Sequence, residues 1–370
     1  MKLADVSRDT IRARIVLNRA PSARSVLLAT LALFAILAAC SSSSTPSSPD
    51  TTSKPDTTKV PLTDLGTGTY HGFQGGLYPS GSNTMPSAHA ALGTTFAKNI
   101  GPLNAAGQPA ANGKIVLLSV GMSNTTQEFC GGGPTSCQSF SFVGQSLTDP
   151  QVDKSRLVIV DGAQGGMVIP NWDETTDATY TTVKEQRLAA LGVTEAQVQA
   201  VWLKQATPGP TVPLPSANAD AYTIASGLGK LVRTLKVRYP NLQIVFLSSR
   251  IYAGYAQPGT LNPEPFAYET GFAVKWLIEA QIKQGTSGSA DALAGDLRPG
   301  IVAPWLAWGP YLWANGTTPR ADGLTWVQSD FQSDNTHPNT GARQKVGTML
   351  LDFMKSSPQA ACWFLAGRSC

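Results

Sequence analysis

The chain is short of charge. Only 14% of its 370 residues are Asp, Glu, Lys or Arg, against about a quarter in an average soluble protein. Histidine is scarcer still, with His71, His89 and His337 making up the whole set. So few imidazoles, and no Cys-x-x-Cys pair, argue against a structural metal site. A basic excess is missing once residues 1–39 are set aside. They hold six of the 28 basic and two of the 24 acidic residues, which leaves 22 of each in the remainder. The formal charge of +4 therefore belongs to the leader, and nothing after it marks a nucleic-acid binder. The apolar run at 25–40 falls short of the roughly 20 residues a membrane helix needs.

That leader has a recognisable make-up. Lys2, Arg8, Arg12, Arg14, Arg19 and Arg24 precede "SVLLATLALFAILAAC", an uncharged run that ends in small residues. This is the pattern of a secretion signal. Leu37-Ala38-Ala39-Cys40 resembles the bacterial lipobox, in which the Cys becomes the lipidated first residue. The expectation is a lipoprotein signal peptide at 1–39 and lipid attachment at Cys40. The address would be the bacterial cell envelope, on the outer membrane or cell surface. Residues 40–62 are rich in Ser, Thr and Pro and read as a flexible tether. No second break of that kind follows, so 63–370 reads as one domain, long enough to bury a large core. Cys130, Cys137, Cys362 and Cys370 allow three pairings. Closeness in sequence favours Cys130–Cys137 and Cys362–Cys370, in keeping with an oxidising compartment.

Within the domain, short apolar runs alternate with helical periods. The runs are 115–120, 157–160, 198–203, 242–247 and 301–306. Such runs suit strands buried on both faces of a parallel sheet. Ile224, Leu228, Leu231, Val232 and Leu235 mark one helix, which should end near Tyr239-Pro240. A second is expected over roughly 264–284, and a third on Ala342, Val346, Met349, Leu350 and Phe353. The alternation predicts an open α/β sheet with helices on both sides. Ligands bind such sheets at the carboxyl ends of the strands.

The strand ends carry the chemistry. Gly121-Met122-Ser123-Asn124 follows the first run, "DGAQGGM" (161–167) the second, and Lys204-Gln205-Ala206 the third. Lys204 is expected to turn to the face opposite Gln205 and to have no role. Asp334 and His337 lie just before the last helix. A Ser hydroxyl needs a base to become a nucleophile, and His is the usual one. A carboxylate three residues before His337 can orient it and stabilise its charged form. Asp322 and Asp330 are rival carboxylates without that spacing. His71 and His89 read as packed or surface residues. Trp305, Trp308, Trp313 and Trp326 read mostly as packing, with one or two available to stack on a sugar ring.

The order of these blocks resembles the SGNH hydrolases, also called GDSL esterases and lipases. In that family a Gly-Asp-Ser block follows the first strand, a Gly the second and an Asn the third, with Asp-x-x-His before the last helix. The resemblance covers about 114–355. It implies a three-layer α/β/α sandwich on a mostly parallel, five-stranded, flavodoxin-like sheet. It also implies Ser123 as nucleophile, His337 as base and Asp334 as its partner. Gly165 falls best on the oxyanion position, beside the N–H of Ser123. Met122 departs from the family Asp, and the Gly-x-Asn-Asp block has no match. Gln occupies its place in some sugar-ester relatives such as sialate O-acetylesterases, so Gln205 is the expected third donor. The implied function is an exported, lipid-anchored serine esterase acting on a small-molecule or carbohydrate ester, with an O-acetylated carbohydrate as one candidate. No cofactor or metal is implied. The rival is a non-catalytic surface lipoprotein that binds a carbohydrate or other ligand on the same fold.

Overall fold

The computed structural model describes residues 59–133 and 135–370. The expected signal peptide, Cys40 and nearly all of the tether lie outside the described residues. The tether's last residues do not behave as one. Leu62 is fully buried, its N–H donates to the Tyr311 hydroxyl at 3.2 Å, and Lys59 is buried too. The folded part thus begins by residue 59.

Five parallel strands form the sheet: β1 (Ile115–Gly121), β2 (Leu157–Asp161), β3 (Val198–Lys204), β4 (Ile244–Leu247) and β5 (Trp305–Trp308). Their order is 2-1-3-4-5. Every residue of β1 and β3 is buried, as apolar runs covered on both faces must be. The order reverses at β1, so the crevice between β1 and β3 is the topological switch point where flavodoxin-like sheets take their ligands. The fifth strand starts four residues later than its apolar run suggested. The N–H groups of Ile301, Val302 and Ala303 all turn back to the carbonyl of Arg298. Pro304 has no N–H to give a ladder, and pairing begins after it.

Helices cover both faces. On one side α1 (Ser87–Lys98), α2 (Ser123–Phe129), α3 (Phe142–Thr148), α6 (Thr340–Ser356) and α7 (Pro358–Phe364) pack among themselves. On the other, α4 (Asp220–Arg238) lies against α5 (Phe266–Ser287). Both long helices match their apolar periods, and α4 stops at Tyr239-Pro240. Aromatic rings weld helices to sheet: Phe129 of α2 stacks on Trp202 of β3 at 5.6 Å, and Phe353 of α6 meets Phe246 of β4 edge-on at 5.0 Å. The disulfides Cys130–Cys137 and Cys362–Cys370 are both formed.

α1 approaches β5 closely because of one glycine. A methyl group on Gly93 would lie 2.3 Å from Cζ2 of Trp305, whose ring also stacks on His89. Trp305 is fully buried and has nowhere to retreat. Gly93→Val should therefore destabilise the domain by about 1–3 kcal/mol through overpacking. Thermal unfolding of the purified domain checks this, and an unchanged midpoint would mean that the helix can shift freely.

Candidate active site

β1 delivers Ser123 through a turn that tolerates no side chain at Gly121. A Cβ there would meet the carbonyl of Lys204 at 2.4 Å and Oγ1 of Thr125 at 2.3 Å. Thr125 in turn donates to that same carbonyl at 2.9 Å, which ties the first turn of α2 to the end of β3. The one polar residue inside β1, Ser119, has a task as well. Its Oγ donates to Asp161 at 2.6 Å and accepts the N–H groups of Gly162 and Ala163 at 3.1 and 3.2 Å. Thr126 of α2 donates to the other oxygen of Asp161. Burial pushes the Asp161 carboxyl up to about 7, against the hydrogen bonds from Ser119 and Thr126 and the charge of Arg187. This network fixes the glycine-rich loop beside Ser123.

The last block arrives from the far end of the chain. Asp334 Oδ1 accepts the backbone N–H of Thr336 at 3.0 Å and of His337 at 2.9 Å, closing a tight turn. Asn335 takes a φ of +53° inside it. Asp334 Oδ2 lies 2.5 Å from His337 Nδ1, and His337 Nε2 lies 2.8 Å from Ser123 Oγ. With Nδ1–H given to the carboxylate, Nε2 is left to accept the Ser123 hydroxyl proton. Partial burial tends to raise the Asp334 carboxyl, but the His337 and Thr336 hydrogen bonds outweigh it and hold the group below its ordinary range. Asn124, buried next to Ser123, donates to the carbonyl of Thr336 at 3.2 Å and clamps the two blocks together. Sequence alone gave Asn124 no such part.

The three expected oxyanion donors differ in what holds them. A methyl group on Gly165 would lie 4.0 Å from Cβ of Ser123, so the two residues are neighbours. Among the described residues, neither the N–H of Ser123, at the first position of α2, nor that of Gly165 has a protein acceptor. Gln205 is buried, and its amide donates to the carbonyl of Met167 at 3.2 Å, bracing the loop that carries Gly165. A carboxamide nitrogen has a second hydrogen to give.

A pocket of about 370 Å³ opens beside His337 and Asp334, bounded by Gly209, Gly259, Thr260, Leu261 and Thr336. The rival groups are spoken for. Asp330 pairs with Lys345 at 2.8 Å and Asp322 with Arg320 at 2.6 Å. His89 is buried against the carbonyl of Leu306 at 2.8 Å, and His71 is at the surface. Trp305, Trp308, Trp313 and Trp326 are all buried, so none of them offers a platform to a sugar. Among the described residues, no group of three His, Cys, Asp or Glu side chains is placed to hold a metal.

No protein-family model matches the chain, and no curated protein matches it significantly. Solved structures do match. A salicylyl-acyltransferase from a tetracycline biosynthetic pathway is 11% identical, over 67% of this chain and 56% of that one, with a TM-score of 0.37. A protein designated a GDSL-like lipase, from Parabacteroides merdae, is 12% identical over 65% of this chain and 94% of its own, with a TM-score of 0.33. An extracellular lipase from Streptomyces rimosus is 13% identical over 66% of this chain and 99% of its own, with a TM-score of 0.32. Likeness at this level carries no weight for function, and the chemistry has to come from the site's own atoms.

A group of buried charges near Ser123 corrects one expectation. Lys204 does not face away without a role. It is fully buried and ion-paired with Glu128 of α2, also fully buried. Burial pushes Glu128 up and pulls Lys204 down to about 8, each opposed by the other's charge. Arg250, which follows β4, is buried beside them, and its guanidinium touches Sδ of Met122 at 3.5 Å. Met122 thus packs on a cation at the position where the family pattern has Asp. Removing one member of a buried pair strands the other. Lys204→Ala should therefore cost about 3–5 kcal/mol, whereas Lys204→Met combined with Glu128→Gln should recover most of it. Urea unfolding of the three proteins measures the difference, and a silent Lys204→Ala would contradict the pairing.

Proposed function

We propose that the domain is a serine hydrolase that cleaves a carboxylic ester. The observation that carries this is the hydrogen-bonded series Ser123–His337–Asp334, set at the switch point of the sheet. Ser123 Oγ attacks the ester carbonyl while His337 Nε2 takes its proton. Asp334 holds the ring in the required tautomer and balances the imidazolium. The proton then goes to the departing alcohol, leaving an acyl group on Ser123. Water, activated by the same His337, releases the acid and restores the hydroxyl. The N–H groups of Ser123 and Gly165 and the free amide hydrogen of Gln205 would receive the oxyanion as charge develops. A formed series of this kind favours turnover over a binding-only role.

The open pocket beside His337 supports a small acyl group on a larger alcohol, and an O-acetylated carbohydrate is the substrate class we favour. The leader and Cys40 would hold the enzyme in a bacterial envelope, lipid-anchored at the outer membrane or cell surface, within reach of such substrates.

Hydrolysis of 4-nitrophenyl acetate by the purified domain tests the reading. Ser123→Ala should lower kcat by about four orders of magnitude or more. Gln205→Ala should lower kcat by about one to three orders with KM little changed, because the interaction strengthens only in the transition state. A Ser123→Ala protein as active as wild type would refute the assignment. Wild-type turnover in Gln205→Ala alone would confine the oxyanion donors to the two backbone N–H groups.

A further inference from the structure

Seven of the eight tryptophans are buried. The eighth, Trp276 on α5, is only half-buried. It stacks on Tyr222 of α4 at 5.1 Å and 15°, and meets Phe73 edge-on at 5.2 Å. All three rings are partly exposed and line one hollow of about 350 Å³. Glu279, Lys283 and Asp291 stand around it. A fold with room to bury seven tryptophans has left its eighth in a surface cleft, among two more aromatic rings. Clustered exposed aromatics of this kind mark a binding surface.

We propose that this groove binds a neutral glycan chain that extends past the catalytic pocket. The inference deepens the esterase reading and names its substrate class. Two features select the occupant. The first is amphipathic chemistry. A pyranose has apolar C–H faces, which suit aromatic rings, and hydroxyls, which suit the carboxylates at the rim. An acyl chain would need an enclosed apolar tunnel, with no carboxylates beside it.

The second feature is continuity. Tyr222 and Leu293 also line a neighbouring hollow of about 450 Å³, whose other walls include Ile169, Thr207 and Ser226. Thr207 follows Gln205 by two residues, and its carbonyl accepts Asn262 at 2.9 Å. Two residues further on, Gly209 lines the pocket beside His337, together with Leu261, the neighbour of Asn262. Three hollows in succession, joined by shared residues and one loop, suit a run of sugar rings better than a single ring.

A polyanion is disfavoured. Asp173 lines the middle hollow, and Lys230 beside it is already paired with Asp173 at 3.2 Å and with Glu174.

Affinity electrophoresis tests the proposal without relying on catalysis. The Ser123→Ala protein is run in native gels containing hydroxyethyl cellulose, a galactomannan or a soluble α-1,4-glucan. At least one gel should retard it. Trp276→Ala and Tyr222→Ala, each placed on Ser123→Ala, should weaken that retardation by about tenfold or more. Far-UV circular dichroism verifies that both variants are folded. On the otherwise wild-type chain, Trp276→Ala should leave 4-nitrophenyl acetate hydrolysis unchanged, because that ester does not reach the groove. Retardation by none of the gels, or retardation of both folded variants as strong as that of their Ser123→Ala parent, overturns the proposal whether or not the protein hydrolyses esters.

Discussion

One hydrogen bond, 2.8 Å between Ser123 Oγ and His337 Nε2, joins points 214 residues apart in the chain. Most of the architecture serves to make it possible. The parallel sheet brings the end of β1 to the switch point, and α6 places the Asp334–His337 turn above it. Neither block has any function by itself. The serine is an ordinary alcohol without the imidazole, and the imidazole is unoriented without the carboxylate. The distance between them is therefore the quantity that the core has to hold constant. It is held from several sides: by Asn124 on the carbonyl of Thr336, by Thr125 on the carbonyl of Lys204, and by Ser119 on the glycine loop.

Holding it requires polar and charged groups inside the fold. Asp161 ends β2, Lys204 ends β3, Glu128 lies on α2 and Arg250 follows β4, and all four are buried. Buried polar networks stabilise a single arrangement when they are satisfied and cost heavily when one member is lost. Glu128 retains one oxygen, and Arg250 its Nε, without a protein partner. The hydrogen bonding of these buried charges is thus incomplete. A cation lies against Met122, one residue from Ser123.

Much of this was legible in the residues. Short apolar, β-branched runs identified β1 to β4, because a strand covered on both faces is mostly apolar. The Asp-x-x-His spacing identified the last block, because a single turn brings those two side chains together. What escaped depended on distant parts of the chain. Alternation put Lys204 on the face opposite Gln205 with no role, but it is buried and paired with Glu128 of α2, whose position the sequence around Lys204 does not reveal. Trp305, Trp308, Trp313 and Trp326 read mostly as packing with one or two free for a sugar, but all four are buried, Trp305 against α1, which is remote in sequence. Ser119 interrupts the apolar run of β1, and its partner Asp161 belongs to the adjacent strand, in register with it. Gln205 was singled out for its amide, and its bond to Met167 shows that bracing the glycine loop is part of its work.

The central claim is that Ser123 is activated by His337, and covalent capture tests it most directly. A fluorophosphonate ester reacts with a serine only when an adjacent base raises its nucleophilicity. Intact mass of the treated domain should show a single adduct, and peptide mapping should place it on Ser123. His337→Ala should remove it, even though the serine is still present. Labelling of another residue, or undiminished labelling in His337→Ala, would contradict the account.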